Sequence, residues 1–197
     1  LGFHGSSARK QAAYCAFCHN AANVNEERAA RFEGATITPE SVQLSTMVHK
    51  IHAGAELANP YVIGAFPPPN AANPAGTPAD FSGLEFPNFK GLGNCQACHR
   101  PGTYGLPGAG VLPTRSQTWT CTEDPAADAD SFCTAPGFVL ESEAFVPAQS
   151  AACTSCHDSD LTKNHAASMT FGTFETCGTC HGVGKTYDVF KVHQPLP

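Results

Sequence analysis

The sequence is poor in charge, in aromatic residues and in long apolar runs. Only 14% of its 197 residues are charged and 9% are aromatic, with one tryptophan and two methionines. No run of about 18 apolar residues occurs, which argues against a membrane-spanning helix. Acidic residues outnumber basic ones and the net charge is −6, which argues against nucleic acid as the partner. The low charge density also argues against a disordered charged tail.

Glycine and proline, by contrast, are frequent, with 18 and 16 copies. Both favour turns, and a loop-rich chain of this length has little apolar area to bury. We therefore predict a single domain over residues 1–197 that is mostly coil with short α-helices and few strands. Something other than side chains should supply much of its core. Residues 24–33 are expected to form a short polar helix and residues 107–150 a loop-rich span.

Eight of the ten cysteines lie in four C-x-x-C-H motifs, which are the attachment signature of c-type haem. In such a motif two thiols add to the haem vinyl groups and the adjoining imidazole becomes the proximal iron ligand. The sequence thus predicts four covalent haems. The predicted thioether cysteines and proximal histidines are Cys15, Cys18 and His19, then Cys95, Cys98 and His99, then Cys153, Cys156 and His157, and finally Cys177, Cys180 and His181.

Zinc is the alternative for the last two cysteine pairs. Twenty residues separate Cys156 from Cys177, which matches the spacing of a zinc ribbon. A zinc site, however, has no need of a histidine after every second cysteine. With 9 histidines in 197 residues, four such coincidences have a probability on the order of 10⁻⁶. Haem is the preferred interpretation.

The remaining two cysteines, Cys121 and Cys133, are predicted to form a disulfide. Covalent haem attachment takes place outside the cytoplasm, where disulfides persist. Closing a loop of this length stabilises a chain by roughly 3 kcal/mol in the chain-entropy model. Two unlinked thiols are the alternative.

The sixth iron ligand distinguishes an electron carrier from a catalyst, because two imidazoles leave no vacancy for a substrate. Five histidines remain for four vacancies, so every haem can be bis-histidine and the methionines Met47 and Met169 are not needed. The distal candidates are His4, His49, His52, His165 and His193. Their pairing with the haems cannot be deduced from the sequence.

Two of these candidates, His49 and His52, lie in a segment over residues 41–54 that is typical of a helix. Thr38 is the expected N-cap, Pro39 the first helical residue and Gly54 the stop signal. Residues three apart lie on nearly the same side of a helix, so each histidine could reach a different haem.

Aromatic residues cluster in the Pro-rich stretch 59–90, namely Phe66, Phe81, Phe86 and Phe89. We expect these rings, and the single tryptophan Trp119, to pack against haem. A recognition loop is the alternative for the Pro-rich stretch.

Several longer words of the sequence resemble one family. They are HGSSARKQAAYCAFCHN at 4–20, MVHKIHAG at 47–54, NCQACHRPGTYGLP at 94–107, AACTSCHDSD at 151–160 and CGTCHGVGKTYDVFKVH at 177–193. In this order they are similar to the C-terminal haem module of the decahaem outer-surface cytochromes, the OmcA/MtrC type of metal-reducing bacteria. The resemblance covers nearly the whole chain.

In that family the module carries five bis-histidine haems. The resemblance implies that the histidines of the HG and HKIH words are distal ligands, here His4, His49 and His52. The sequence departs from the family in lacking a C-x-x-C-H before the HG word and in lacking the β-barrel domains. More loosely, it resembles small tetrahaem cytochromes that polymerise into conductive filaments. In such filaments a histidine ligates a haem of the adjacent subunit, and His4 is the candidate for this role.

The expected function is extracellular electron transfer rather than enzyme catalysis. Expected partners are other copies of the chain or redox partner cytochromes, with metal oxides or electrodes as acceptors. The expected location is extracellular or on the cell surface, or else periplasmic. Two alternatives stay open: a soluble periplasmic shuttle, and a reductase of small oxyanions. The reductase would need an open or lysine-ligated haem, and no C-x-x-C-K motif occurs.

Overall fold

The computed structural model describes residues 12–24, 36–37, 40–65, 77–86, 93–121 and 138–194. Their helices are short: α1 (Ala12–Cys18), α2 (Leu44–Ala53), α3 (Ala148–Thr154), α4 (Asp160–Ser168), α5 (Gly178–His181) and α6 (Val189–Val192). Two single 3₁₀ turns cover Gly54–Glu56 and Cys95–Ala97. The strands are β1 (Thr36–Ile37), β2 (Val62–Ala65), β3 (Thr77–Asp80), β4 (Thr114–Cys121), β5 (Phe138–Val146), β6 (Thr170–Phe171) and β7 (Phe174–Glu175). The prediction of mostly coil with short helices and few strands is confirmed.

The backbone contacts cluster into two compact units. The first comprises Leu1–Met47, Val62–Asp80 and Thr114–Phe145, and the second comprises Val48–Tyr61, Phe81–Pro113 and Val146–Pro197. One boundary between the two units falls within α2, between Met47 and Val48. The first C-x-x-C-H motif belongs to the first unit and the other three motifs belong to the second.

The first unit holds the two longest strands, β4 and β5, in a three-stranded sheet of order β1-β4-β5. β1 pairs with β4 in antiparallel register, with Ile37 opposite Trp119. The Arg115 Nε donates to the Glu143 carboxylate at 2.8 Å, and the buried Gln117 side chain donates to the same carboxylate at 2.9 Å. In the described parts of the span 107–150, residues Thr114–Cys121 and Phe138–Val146 are strands rather than the loop that the composition suggested, because these cross-strand contacts hold them as sheet.

Helix α2 begins later than the sequence predicted. It starts at Leu44, and the Gln43 side chain caps it by accepting from the Thr46 backbone N–H at 3.0 Å. The preceding residues extend instead, since Ser41 forms a bridge with Val24 and the Val42 N–H donates to the Asn23 carbonyl at 3.2 Å. The predicted cap and first turn at residues 38–39 lie outside the described residues.

The predicted end of this helix is confirmed at Gly54, which adopts a positive φ of 41°. A Cβ at this buried position would clash with the Leu84 carbonyl oxygen. The neighbouring Ala55 N–H donates to that same carbonyl at 2.9 Å. Glycine therefore both ends α2 and allows the chain around Leu84 to approach it closely.

Few large apolar side chains are buried in either unit. Among the described residues the buried apolar side chains are Val24, Ala53, Tyr61 and Ala151. Large apolar side chains such as Phe17, Phe171 and Phe174 are instead about 70% exposed or more. Side chains alone thus supply little of the apolar burial that a domain needs.

Several expectations fall on residues outside those described: the polar helix beyond Val24, the rings Phe66 and Phe89, and His4. Cys133 also lies outside them, and of Cys121 only the backbone is described, so the disulfide stays a prediction. Trp119 is half-buried on β4. Phe81 stacks on Tyr61 with ring centres 6.0 Å apart. No described helix has the length and apolarity to cross a bilayer.

Candidate haem sites

All four C-x-x-C-H motifs adopt the same backbone geometry, one turn of helix. In each, the histidine N–H donates to the carbonyl of the first cysteine, at 2.8 Å for His19 and His99 and 2.9 Å for His157 and His181. Residues three apart on such a turn project from the same side, so both cysteine side chains of a motif can reach one edge of a planar ligand.

Four motif cysteines of the second unit, Cys95, Cys153, Cys156 and Cys177, lie in surroundings that disfavour a thiolate. Crowding by protein atoms, followed by the neighbouring Cys95 and Cys153, raises the pKa of the Cys156 thiol to about 11 although its surface stays accessible. Burial likewise raises the pKa of Cys95, Cys153 and Cys177. These shifts mark all three motifs of the second unit as crowded by protein atoms.

The zinc alternative for the last two cysteine pairs lacks the cluster of ligands that a zinc site requires. Within the part of the chain that the structure describes, no group of three or more His, Cys, Asp or Glu side chains is placed to hold one ion. A structural zinc site needs four such ligands. The geometry therefore favours the haem interpretation of the motifs.

The second unit brings each of its three motif histidines against one distal candidate. Ring centres are 6.0 Å apart for His49 and His99, 5.9 Å for His157 and His193, and 6.3 Å for His165 and His181. The angles between the ring planes are 25°, 52° and 69° in the same order. The members of these pairs lie 50, 36 and 16 positions apart in the chain, so only the tertiary fold pairs them.

Backbone carbonyls orient several of these imidazoles. The Nδ1 of His193 lies 3.1 Å from the Val189 carbonyl, that of His181 3.2 Å from the Tyr187 carbonyl, and that of His52 2.7 Å from the Val48 carbonyl. In the first unit, the His19 Nδ1 lies 2.8 Å from the Val42 carbonyl. An Nδ1–H that donates to a carbonyl leaves Nε2 deprotonated and free to bind a metal.

His49 is a half-buried distal candidate on α2. Burial, and then the neighbouring His99 and His52, lower its pKa and favour the neutral ring. Its Nδ1 is buried without a hydrogen-bond partner among the described residues. A neutral imidazole is the form that ligates a metal.

Capped short helices carry the two C-terminal distal candidates. Helix α4 starts behind the Ser159 N-cap, whose hydroxyl accepts from the Thr162 N–H at 3.3 Å, and it presents His165. Helix α6 starts at the buried Asp188, whose carboxylate accepts from the Phe190 N–H at 2.9 Å and the Gly184 N–H at 2.6 Å. His193 follows α6 directly, so the Asp188 cap fixes the turn that carries it.

The carboxylate of Asp158, next to His157, fastens the third motif to a distant segment. It accepts from the backbone N–H groups of Ala58 at 2.7 Å and Asn59 at 2.8 Å, and also from the Asn59 side chain. Burial would raise the Asp158 pKa, but these hydrogen bonds outweigh it and lower the pKa below its usual value. The sequence pattern did not indicate Asp158 or Glu175, because their backbone N–H partners lie 99 and 100, and 25 and 26, positions away. Asp188 was missed as well, although its partners two and four positions away make it a local helix cap.

Two of the five distal candidates, His52 and His4, are not members of these three pairs. His52, three residues from His49, packs edge-on against Phe86 at 5.6 Å and forms no ring pair with a motif histidine among the described residues. His4 lies outside the described residues. Methionine is not brought into any of the three pairs, and Met169 instead accepts a backbone hydrogen bond from Thr176.

Comparison with known proteins identifies the class. A protein-family model described as outer membrane cytochrome MtrC/MtrF-like, domains II/IV, matches residues 1–194. Searches among curated proteins and among solved structures gave no match. The motifs and this match define the chain as an electron-transfer cytochrome of the c type, with covalently bound haem and an extracellular or cell-surface location.

The chain belongs to the MtrC/MtrF-like outer membrane cytochrome family, domains II/IV, as the resemblance predicted. The histidine pairs fit the haem that this membership implies. Two imidazoles that ligate one metal ion from opposite sides, with bonds of about 2.0 Å, place their ring centres about 6 Å apart. All three measured separations agree with this value.

Proposed function

We propose that the chain carries electrons along four bis-histidine c-type haems in extracellular electron transfer. The observation that carries this proposal is the separation of about 6 Å within the three histidine pairs. Cys95 and Cys98, Cys153 and Cys156, and Cys177 and Cys180 would tether the second, third and fourth haems. Cys15 and Cys18 would tether the first, with His19 as its proximal ligand.

The proposed ligand pairs are His99 with His49, His157 with His193 and His181 with His165. Each haem, when bound, supplies one reversible ferric/ferrous electron. The chain's own residues would close both axial positions. Backbone carbonyls hold the Nδ1 atoms of His181 and His193, which would make their Nε2 atoms stronger donors and favour the oxidised iron. With both positions closed, these three sites leave no vacancy for a small oxyanion, which speaks against the reductase alternative.

The surroundings of the cysteines support a continuous order of sites in the second unit. After burial, the neighbouring Cys95 raises the pKa of the Cys156 thiol, and the neighbouring Cys177 raises the pKa of the Cys153 thiol. The third motif therefore has a neighbour on each side, the second motif and the fourth. Such an order suits electron passage, since each cofactor has a partner close to it.

The experiment that tests the ligation is electron paramagnetic resonance of the oxidised holoprotein. All haems should be low-spin. The pair with planes at 69°, His165 and His181, should give the most anisotropic signal, and the pair at 25°, His49 and His99, a rhombic one. His165→Ala should abolish the first signal and His49→Ala the second, and each should convert one haem in four to high spin.

Met169→Leu is the matched control, because it removes a thioether near the fourth motif, and the spectrum should not change. A wild-type protein with fewer than four haems by mass spectrometry would contradict the proposed count. A high-spin signal in the wild type, or histidine variants that leave every haem low-spin, would contradict the pairing.

The proposal includes self-association into a filament. The chain has nine histidines, whereas four bis-histidine haems need eight. The three pairs use six and His19 is the proximal ligand of the first haem, which leaves His4 and His52, and one of these is in excess. We assign the excess to His52, which packs against Phe86, so that His4 would ligate the first haem of a neighbouring copy and electrons would pass between copies and on to a metal oxide or an electrode.

Electron microscopy of the native protein, together with the His4→Ala variant, tests this assembly. Wild-type protein should form long regular fibres, and the variant should give isolated particles with one high-spin haem. Lys185→Ala, an exposed change, is the control and should leave the fibres intact. A monodisperse wild-type monomer with four closed haems would refute the filament and favour the soluble periplasmic shuttle.

A further inference from the structure

Glu175 lies in the second unit at a point where two haem motifs meet. Its carboxylate accepts from the Ser150 N–H at 2.6 Å, the Ser150 hydroxyl at 2.7 Å and the Gln149 N–H at 2.9 Å. These donors form the first turn of α3, the helix that carries Cys153 of the third motif. Along the chain, Glu175 precedes Cys177 of the fourth motif by two residues.

The β6–β7 hairpin fixes the position of this carboxylate. Thr170 pairs with Glu175 across the hairpin, and the Thr170 hydroxyl lies 3.3 Å from the hydroxyl of the buried Ser150. The side chain is therefore held from the hairpin and from the helix. It is half-buried, so solvent screens it only in part.

The Glu175 carboxylate affects the pKa of thiols in both motifs. After burial, and for Cys153 after the neighbouring Cys177, Glu175 raises the pKa of the thiols of Cys153 and Cys177. Among the residues that the structure describes, no lysine or arginine forms an ion pair with Glu175. One uncompensated negative charge thus lies beside the attachment points of two haems.

We propose that Glu175 is a shared redox-tuning residue that lowers the reduction potentials of the third and fourth haem sites together. This inference rests on the proposed function. An oxidised haem iron carries one more positive charge than a reduced one, so a fixed carboxylate beside it stabilises the oxidised form. Partial exposure limits the effect to about threefold to tenfold in the reduction equilibrium constant of each site.

The test is a potentiometric titration of the holoprotein followed by electron paramagnetic resonance, with two variants of this residue. Glu175→Gln keeps the length and removes the charge, so two of the four haems should become easier to reduce. One of them should be the haem with the most anisotropic signal, assigned to His165 and His181. Glu175→Asp keeps the charge and loses reach, so it should lower thermal stability while leaving the potentials near those of the wild type.

Glu141→Gln is the matched control, since Glu141 is an exposed carboxylate on β5 of the first unit. The inference is overturned if Glu175→Gln shifts no potential beyond this control, if it shifts all four alike, or if the Asp and Gln variants shift the same pair equally. Haem count and wild-type spin state are measured first. A failure there refutes the proposed function, whereas intact low-spin haems with unmoved potentials refute only the role of Glu175.

Discussion

At the scale of single residues, the chain around the candidate sites is held by close backbone contacts that tolerate few substitutions. Gly54 joins the end of α2 to the segment around Leu84, and Asp158 joins the third motif to residues 58–59. Both lie within a few residues of predicted iron ligands. Substitutions at Gly54 and Asp158 should therefore disturb haem ligation as well as lower stability.

Replacing Gly54 by alanine should destabilise the protein by about 2–4 kcal/mol, because the new Cβ requires a strained positive φ and collides with the Leu84 carbonyl. Urea unfolding followed by circular dichroism measures this. Gly83→Ala is the control: a Cβ at Gly83 meets nothing within 4 Å, so its effect should stay within about 0.5 kcal/mol. Equal effects at both positions would contradict the contact.

Replacing Asp158 by asparagine should cost about 1–3 kcal/mol of unfolding free energy. The buried carboxylate accepts from two backbone N–H groups, and an amide can accept with one oxygen only. The exposed Glu85→Gln is the comparison and should be nearly neutral. A neutral Asp158→Asn variant would show that segment 58–59 is held by other contacts.

At the scale of elements, Arg115 on β4 and Glu143 on β5 form a cross-strand contact in the first unit. Hydrogen bonds from Arg115 and then Gln117 lower the pKa of the Glu143 carboxyl. A carboxyl whose pKa is lower in the folded state stabilises that state fully above its unfolded pKa. The stabilisation is lost as the pH falls through the folded value.

The melting temperature of the wild type should therefore fall as the pH is lowered from about 6 to about 3. Glu143→Gln should make this fall shallower, because the group that titrates is gone. Glu141→Gln, on the same strand, should keep the wild-type slope, since the Glu141 side chain is exposed. Parallel curves for all three proteins would contradict the role of the pair.

At the scale of the whole molecule, the described chain buries few large apolar side chains. A haem-free chain should therefore fail to fold cooperatively, bind a hydrophobic dye strongly and be cut rapidly by protease, because apolar surface such as Phe171 and Phe174 is uncovered. The double change of Cys177 and Cys180 to serine should remove one haem and give intermediate dye binding. A haem-free chain that unfolds cooperatively and binds no dye would contradict the prediction.

How far the sequence alone predicts the site depends on the range of each interaction. The C-x-x-C-H turns are local, since a histidine N–H reaches the first cysteine carbonyl four residues back, and they could be predicted in full. The end of α2 at Gly54 is local as well. Its start was wrong because Ser41 pairs with Val24, a contact that no local pattern near Ser41 reveals.

The sequence by itself determined the class of protein, and it predicts the attachment residues and the number of candidate iron ligands. Only the tertiary structure decided which imidazoles meet: His49 with His99, His157 with His193 and His165 with His181. It also decided that Glu175 and Asp158 bind backbone N–H groups of other segments. The physical reason is that a helical turn follows from neighbouring residues, whereas a ligand pair depends on how separate turns and loops pack together.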